Sequence, residues 1–296
     1  VSVTVALIWF LVGSGLITLG AFFLWYWVGG RCDWQVTLAI VLPVATVALM
    51  ATLGGCSEMA MGMLCGAVAF NCALMGLLSL IFRVRTTRVN ILMMALWVAF
   101  GLGAGLSVGH NGNMGMFTGW GLVTVGLVAI WQMCACKETE SVRQNGHKWF
   151  SHHSVCWLFL AVVLLGVGAW LVIKQHAVVS AVLMLPDGLL GTIVVAPLCG
   201  GTVLWGLRAK QQWQPQRLLM GLTRGNALVA TVGIGLVTVL RGGIHLTQSM
   251  STITLPWVAG LVIVGTVAVF LPQKTARWWG GLSVAMYLGY VISLLV

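Results

Sequence analysis

The 296-residue chain is 60% hydrophobic and 7% charged, with a mean hydropathy of +1.03 and a formal net charge of +10. Five acids and fifteen bases cannot coat a globule of this length, so a water-soluble fold is excluded and most of the exterior must face hydrocarbon. The basic residues fall in short clusters between long apolar runs rather than along one face, a pattern of topology signals that argues against a nucleic-acid partner.

A membrane crossing takes about 20 mostly apolar residues. Divided at its charges, prolines and glycine pairs, the chain yields ten spans, at 4–28, 35–54, 58–82, 89–108, 114–134, 154–173, 188–207, 218–240, 253–272 and 280–296. The first is expected to be retained rather than removed as a signal peptide, since no basic stretch or convincing small-residue cleavage site accompanies Val1 to Phe10. Runs of this length read as helices, because a lipid-facing backbone must satisfy its own hydrogen bonds and the alternation of a membrane barrel is absent. The fold class is an all-α integral membrane protein.

Alternating the ten spans sorts the basic residues. Arg31, Arg83, Arg85, Arg88, Lys137, Arg143, Lys148, Arg208, Lys210, Arg217, Lys274 and Arg277 collect on one side; Lys174 and Arg241 fall on the other, and Arg224 lies inside a span. Basic loops stay cytoplasmic, so both termini are expected outside a cytoplasmic membrane. Residues 1–136 then form a first five-helix unit, 137–153 a hydrophilic cytoplasmic linker, and 154–296 a second unit. Trp149, Trp213, Trp257, Trp278 and Trp279 stand at span ends, where an indole buries its ring and keeps its N–H hydrated.

The halves repeat one another. Gly62-x-x-x-Gly66 in the third span and Gly221-x-x-x-Gly225 in the eighth are offset by 159 residues. Val44 stands against Thr202 at an offset of 158, and Gly13-Ser14-Gly15 against Gly166-Val167-Gly168 at 153. Five spans per unit is an odd number, so equivalent helices run in opposite directions and the repeat is inverted. One Gly-x-x-x-Gly by itself marks helix packing. Its recurrence in two opposed halves, with Pro43 and Pro197 each interrupting the preceding span, points to a site near the bilayer midplane.

These residues resemble the calcium/cation antiporter superfamily, which includes the sodium/calcium exchangers. Each half of that family carries a Gly-Thr-Ser-x-Pro-Glu stretch and, about 27 residues on, the end of a Gly-Asn-x-x-Gly-Ser-Asn-x-x-Asn stretch. Ala39 to Val44 stands for the first, keeping Pro43 and putting valine at the acid's position; Gly62 to Asn71 stands for the second, keeping both glycines, Phe70 and the last asparagine. In the other half Thr192 to Thr202 and Gly221 to Ala230 occupy the same places, with Thr202 in the acid's slot and Ala230 in the last asparagine's. Arg277 to Leu282, Tyr287 and Tyr290 are similar to the family's final helix.

The resemblance implies ten helices in two inverted five-helix repeats and alternating access, with the first and sixth helices moving past a core of spans two, three, seven and eight. It places Asn71, Cys199, Thr202 and Asn226 along an ion path, with Val44 and Ala230 as lost ligand positions. Calcium takes about 6–8 oxygen ligands, usually including carboxylates, and none remains at these positions. The expected cargo is therefore a monovalent cation or a proton, the alternative being a transport-silent scaffold or regulator.

Other acids do not fill the gap. Glu58 and Asp187 stand at helix starts, where they are expected to cap N-termini and complement the dipole. Arg224, about two turns into the eighth span, is expected to snorkel to the cytoplasmic interface; the sharper reading is a fixed counter-charge occupying the place of a metal ion. The cysteines read as small apolar residues, and Cys134-Ala-Cys136 lacks the second pair a metal site needs. Neither a metal nor a cofactor is expected. Nor is an enzyme: there is no His-Glu-x-x-His, Gly-x-Ser-x-Gly or phosphate loop. The expected partners are lipid and small inorganic cations.

Overall fold

A computed structural model describes residues 2–28, 33–82, 113–135, 152–201, 203, 215–271 and 273–295. Helices account for nearly all of them: α1 (Val3–Val28), α2 (Asp33–Leu53), α3 (Ser57–Ile81), α4 (Met116–Ala135), α5 (His152–Leu183), α6 (Asp187–Gly200), α7 (Pro215–Leu240), α8 (Met250–Thr254 continued by Leu255–Phe270) and α9 (Gln273–Leu295). Seven of these are long and apolar enough to cross a membrane; α4 and α6 are shorter apolar helices. The expected spans at 4–28, 35–54, 58–82, 218–240 and 253–272 coincide with helices to within a few residues. The one at 89–108 lies outside the described residues, as do the linker 137–151, Trp149, Trp213 and Thr202.

Three boundaries differ for identifiable reasons. Helix α5 runs ten residues past the expected end at 173, because Lys174 does not break it: its ammonium lies 4.8 Å from the centre of the Trp170 ring. The helix stops at Leu183, just before Met184 (φ 53°) and Pro186. Helix α9 begins at Gln273, with Lys274 and Arg277 in its first turns rather than ahead of it. Residues 113–115 form a short strand, β1 (Asn113–Gly115), antiparallel to β2 (Gly243–His245), so the helix expected from 114 starts at Met116.

The prolines act unequally. Pro43 sits inside an uninterrupted α2, contrary to the expected break. Pro197 and Pro256 each follow a π-type turn, at Gly191–Val195 and Met250–Thr254. Proline has no N–H and its ring crowds the carbonyl four residues back, Ile193 and Thr252 here, so the turn just upstream widens. A third π turn, Val229–Gly233, occurs in α7 without a proline.

Helices α3 and α7 are the most deeply buried of the membrane-length helices and form the centre. Around them close crossings are made at glycines. Gly13 and Gly168 face one another where α1 crosses α5: a Cβ on Gly13 would stand 2.8 Å from the Gly168 carbonyl oxygen, and one on Gly168 2.7 Å from that of Gly13. Gly76 of α3 meets Gly280 of α9 in the same reciprocal way, and Gly119 of α4 meets Gly235 of α7. Trp278 is exposed as expected of an interfacial anchor, but Trp257 is half-buried with its ring centre 6.4 Å from that of Tyr290, so it packs inward.

The α2–α3 turn, the C-terminal part of α5 and the turn before β2 meet at one end of the core. The Arg241 guanidinium donates to the Gly55 carbonyl, Cys56 Sγ lies 3.2 Å from His176 Nε2, and β2 pairs with β1. The far end of α3, a helix of 25 residues, is about 37 Å away. Thus Phe82 and Asn113, the residues at which the described chain stops and resumes, lie at opposite ends of the core.

Candidate functional site

Each Gly-x-x-x-Gly pair sets a crossing between the two halves of the chain. On α3, a Cβ at Gly62 would collide with the Gly188 carbonyl, and one at Gly66 would stand 2.7 Å from Thr192 O. On α7, a Cβ at Gly221 would lie 2.6 Å from Val36 Cγ1, and at Gly225 3.2 Å from Ile40 Cγ2. So α3 is pressed against α6, and α7 against α2. At the first crossing Thr192 Oγ1 lies 2.9 Å from the carbonyl oxygens of both Gly62 and Gly188, sharing its one proton between the two helices.

Near the middles of α3 and α7 these crossings bring two buried amides together. Asn71 Nδ2 donates to Asn226 Oδ1 at 2.9 Å, and Asn226 Nδ2 in turn lies 3.5 Å from Cys72 Sγ. Asn71 and Asn226 are 1% and 2% exposed, and Asn71 Oδ1 has no hydrogen-bond partner among the described residues. Gly200 of α6 faces it, since a Cβ there would lie 3.6 Å from Asn71 Oδ1 and against the Phe70 ring. An unsatisfied buried carbonyl oxygen costs roughly 1–3 kcal/mol. It is also an oxygen ligand in waiting.

The other expected positions distribute as follows. Cys199 is buried on α6, beside the Gly200 that faces Asn71. Val44 on α2 and Ala230 in the π turn of α7 are buried in the apolar core, Val44 at 1% and Ala230 at 0% exposure, and neither offers a side-chain oxygen. Arg224 is 6% exposed, which corrects the snorkelling expectation: its side chain is enclosed by protein rather than extended to the surface. The neighbouring glycines 221 and 225 explain this, because they draw α2 close against that part of α7. Glu58 and Asp187 stand in the first turns of α3 and α6, but the N-cap positions are Cys56 and Pro186, without side-chain caps. The capping expectation is corrected to a dipole contribution alone.

Sequence reasoning gave no site role to several polar groups around this centre. Tyr290 of α9 is fully buried, and its hydroxyl has no hydrogen-bond partner among the described residues. Ser283 Oγ donates to the Cys72 carbonyl at 3.1 Å, fixing α9 to α3 one residue beyond Asn71. Phe70 meets the Tyr287 ring edge-on, with centroids 5.7 Å apart. Two of the chain's three tyrosines in the final helix were the available signal; the threonines became significant only when the π turns had placed them.

No family model matches the chain, and no curated protein matches it. Solved structures do. The H+/Ca2+ exchanger CAX superposes with a TM-score of 0.70 at 12% identity, over 98% of this chain and 88% of the exchanger. Native YfkE gives 0.73 at 12% identity, over 99% of this chain and 97% of its own. The sodium-calcium exchanger NCX_Mj, soaked with 100 mM Na+ and 10 mM Sr2+, gives 0.67 at 17% identity over 99% of both. The chain therefore shares, over almost its whole length, the fold of these three proteins.

Proposed function

We propose that this chain is a secondary cation transporter working by alternating access, with a monovalent cation or a proton as cargo. Its ten spans would form two inverted five-helix units, 1–136 and 154–296, joined by a cytoplasmic linker at 137–153. Both termini would lie outside the cytoplasmic membrane. The reciprocal crossings support that arrangement: α3 on α6 answers α7 on α2, Gly76–Gly280 answers Gly235–Gly119, and α1 and α5 answer each other at Gly13 and Gly168.

The observation that carries the reading is the Asn71–Asn226 pair, a buried contact between the two halves with one carbonyl oxygen left open. Amide, hydroxyl and backbone oxygens from Asn71, Asn226, Thr192 and Thr202 would suit a singly charged ion. All five acids of the chain, Asp33, Glu58, Glu138, Glu140 and Asp187, lie outside the family's ligand positions, so the dehydration cost of a divalent ion would go uncompensated there. Cys199 would line the same path. Arg224 would act as a fixed charge beside it, further disfavouring divalent cargo.

A second reading, a transport-silent scaffold or regulator, draws on the same pair: the amides fasten the two halves by a direct bond, and Val44 would seal the position an acid would hold. Purified protein in liposomes separates the two. Under an imposed sodium or proton gradient, flux of any cation establishes transport and should fall in Asn71→Leu. Absence of flux for calcium, sodium, potassium and protons overturns it and leaves the silent reading.

A further inference from the structure

Away from the amide pair, α2, α4 and α7 enclose a cleft of about 530 Å3. Every residue lining it is valine, alanine, leucine, isoleucine or glycine. Ala48, Leu64 and Val229 form a buried floor, whereas Val41, Leu49, Ile130 and Leu236 are half-buried, so the cleft reaches the outer surface of the bundle. A held water needs about 2–4 polar partners, and these side chains supply none. The cleft is therefore suited to an apolar occupant and to neither water nor an ion.

Two features of the sequence make this space. The π turn Val229–Gly233 widens α7 with no proline to account for it, and single π turns inside helices are frequent at functional sites. It contributes Val229, Val232 and Gly233 to the lining. The second feature is a difference between the halves. The crossings Gly76–Gly280 and Gly235–Gly119 relate α3 to α7 and α4 to α9 at offsets of 159 and 161 residues. Those offsets set Val229 against Phe70 and Gly126 against Tyr287, the two rings that meet edge-on in the other half. Where one half packs two aromatic rings, the other has an isopropyl group and a hydrogen atom, and the cleft opens beside Val229. This comparison rests on the inverted pairing of the halves; the cleft itself does not.

The dimensions fit hydrocarbon. Val41 to Leu49 covers about 12 Å of α2, and Leu228 to Val237 about 14 Å of α7. One leaflet's share of a bilayer core is about 15 Å. Both stretches end within about a turn of Leu53 and Leu240, the helix ends that adjoin Gly55 and Arg241. We propose that the cleft is a binding site for one acyl chain of a phospholipid from the leaflet on the β1–β2 side. A tail seated there recovers the dispersion contacts that an empty cleft forfeits. It would also brace the π turn that carries Ala230, so that a molecule of the bilayer becomes part of the packing between α2 and α7.

The test is photo-crosslinking of the full chain in phosphatidylcholine nanodiscs that include phosphatidylcholine bearing a diazirine midway along one acyl chain, with adducts mapped by mass spectrometry. Bulk lipid reaches exposed residues such as Leu127 and Trp131, whereas only a chain inside the cleft reaches Ala48 and Leu64, which are 2% and 0% exposed. Adducts are expected at both sets. Ala45→Phe and Val229→Phe fill the cleft from α2 and from α7. Each should lower the adducts at Ala48 and Leu64 by about tenfold or more and leave those at Leu127 and Trp131 unchanged, with thermal melting establishing that the variants are folded. Adducts confined to exposed residues in the unaltered chain overturn the proposal, and that comparison needs no variant. Enclosed adducts undiminished in the folded variants overturn it too. Cation flux enters neither comparison, so failure here leaves the transport reading standing.

Discussion

Replacing Gly66 by alanine probes the crossing on which the centre depends. The added Cβ would stand 2.7 Å from Thr192 O, 2.8 Å from Thr192 Cα and 2.9 Å from Ala196 Cβ, whereas ordinary contact begins at 3.4 Å. Two of the three obstacles are backbone, so α6 must withdraw from α3 by about 0.7 Å. Overpacking of this kind costs about 1–3 kcal/mol, against a gain of about 1 kcal/mol from removing a helical glycine. Gly15→Ala and Gly166→Ala isolate the steric part, since a Cβ at either meets nothing within 4 Å and only the propensity gain remains. Thermal unfolding in one detergent should place Gly66→Ala below both controls by about 2–9 °C, at about 2–3 °C per kcal/mol. The withdrawal should also stretch the Thr192–Gly62 contact and lower any measured flux. If Gly66→Ala melts with the controls, the helices are not in contact at that residue and the account of the site fails with it.

Four other outcomes follow from the geometry. Asn71→Leu and Asn226→Leu should each cost about 1–3 kcal/mol by stranding the partner amide, and the double variant less than the sum, which chemical denaturation of all four proteins would reveal. Maleimide labelling of Cys56 at fixed neutral pH should quicken in Asp187→Asn and slow in Arg241→Gln, because the carboxylate raises and the guanidinium lowers the thiol's protonation range; labelling rates unmoved by either change would remove the electrostatic link. Arg224→Met should raise monovalent cation binding or flux severalfold if the guanidinium is a counter-charge, and unchanged affinity together with unchanged flux discards that role. Ser283→Ala should cost about 0.5–1.5 kcal/mol through loss of its bond to Cys72 O, read as lowered thermal stability.

Helix existence was legible because twenty-residue apolar runs leave the backbone few alternatives, and the glycine pairs were legible because close crossings require them. Boundaries were harder. Lys174 looks like the end of a span, yet it lies over Trp170 while the helix continues. Pro43 and Pro197 look equivalent, but only Pro197 follows a π turn. Within the site, Asn71 and Asn226 were identifiable as polar residues left along the expected ion path. Their direct bond was not, because it depends on the relative rotation of two helices separated by 155 positions. Arg224 was misjudged for a related reason: snorkelling is the default for a lone cation near a span end, and only the packed position of α2 shows that the side chain is enclosed.

Under the transport reading, ion choice follows from what the central amide pair can offer an ion. A carboxylate attracts a cation with a full charge and leaves several acceptor sites open; an amide offers one dipolar oxygen and a donor that must also be satisfied. In the Asn71–Asn226 contact one donor is occupied by the partner's oxygen, so a bound ion can draw on Asn71 Oδ1 without breaking the pair, but on Asn226 Oδ1 only by sharing it. That supports weak coordination of a singly charged species and penalises an ion that needs six or more ligands. Adding a charge rather than enlarging the cavity is therefore the informative perturbation. Asn226→Asp should favour cation binding at neutral pH and lose the effect on acidification as the carboxylate protonates, measured as a pH-dependent rise in melting temperature with added sodium or calcium. If the aspartate variant gains no cation response at any pH at which it remains folded, the centre is closed to ions, and the two amides serve only to fasten the halves together.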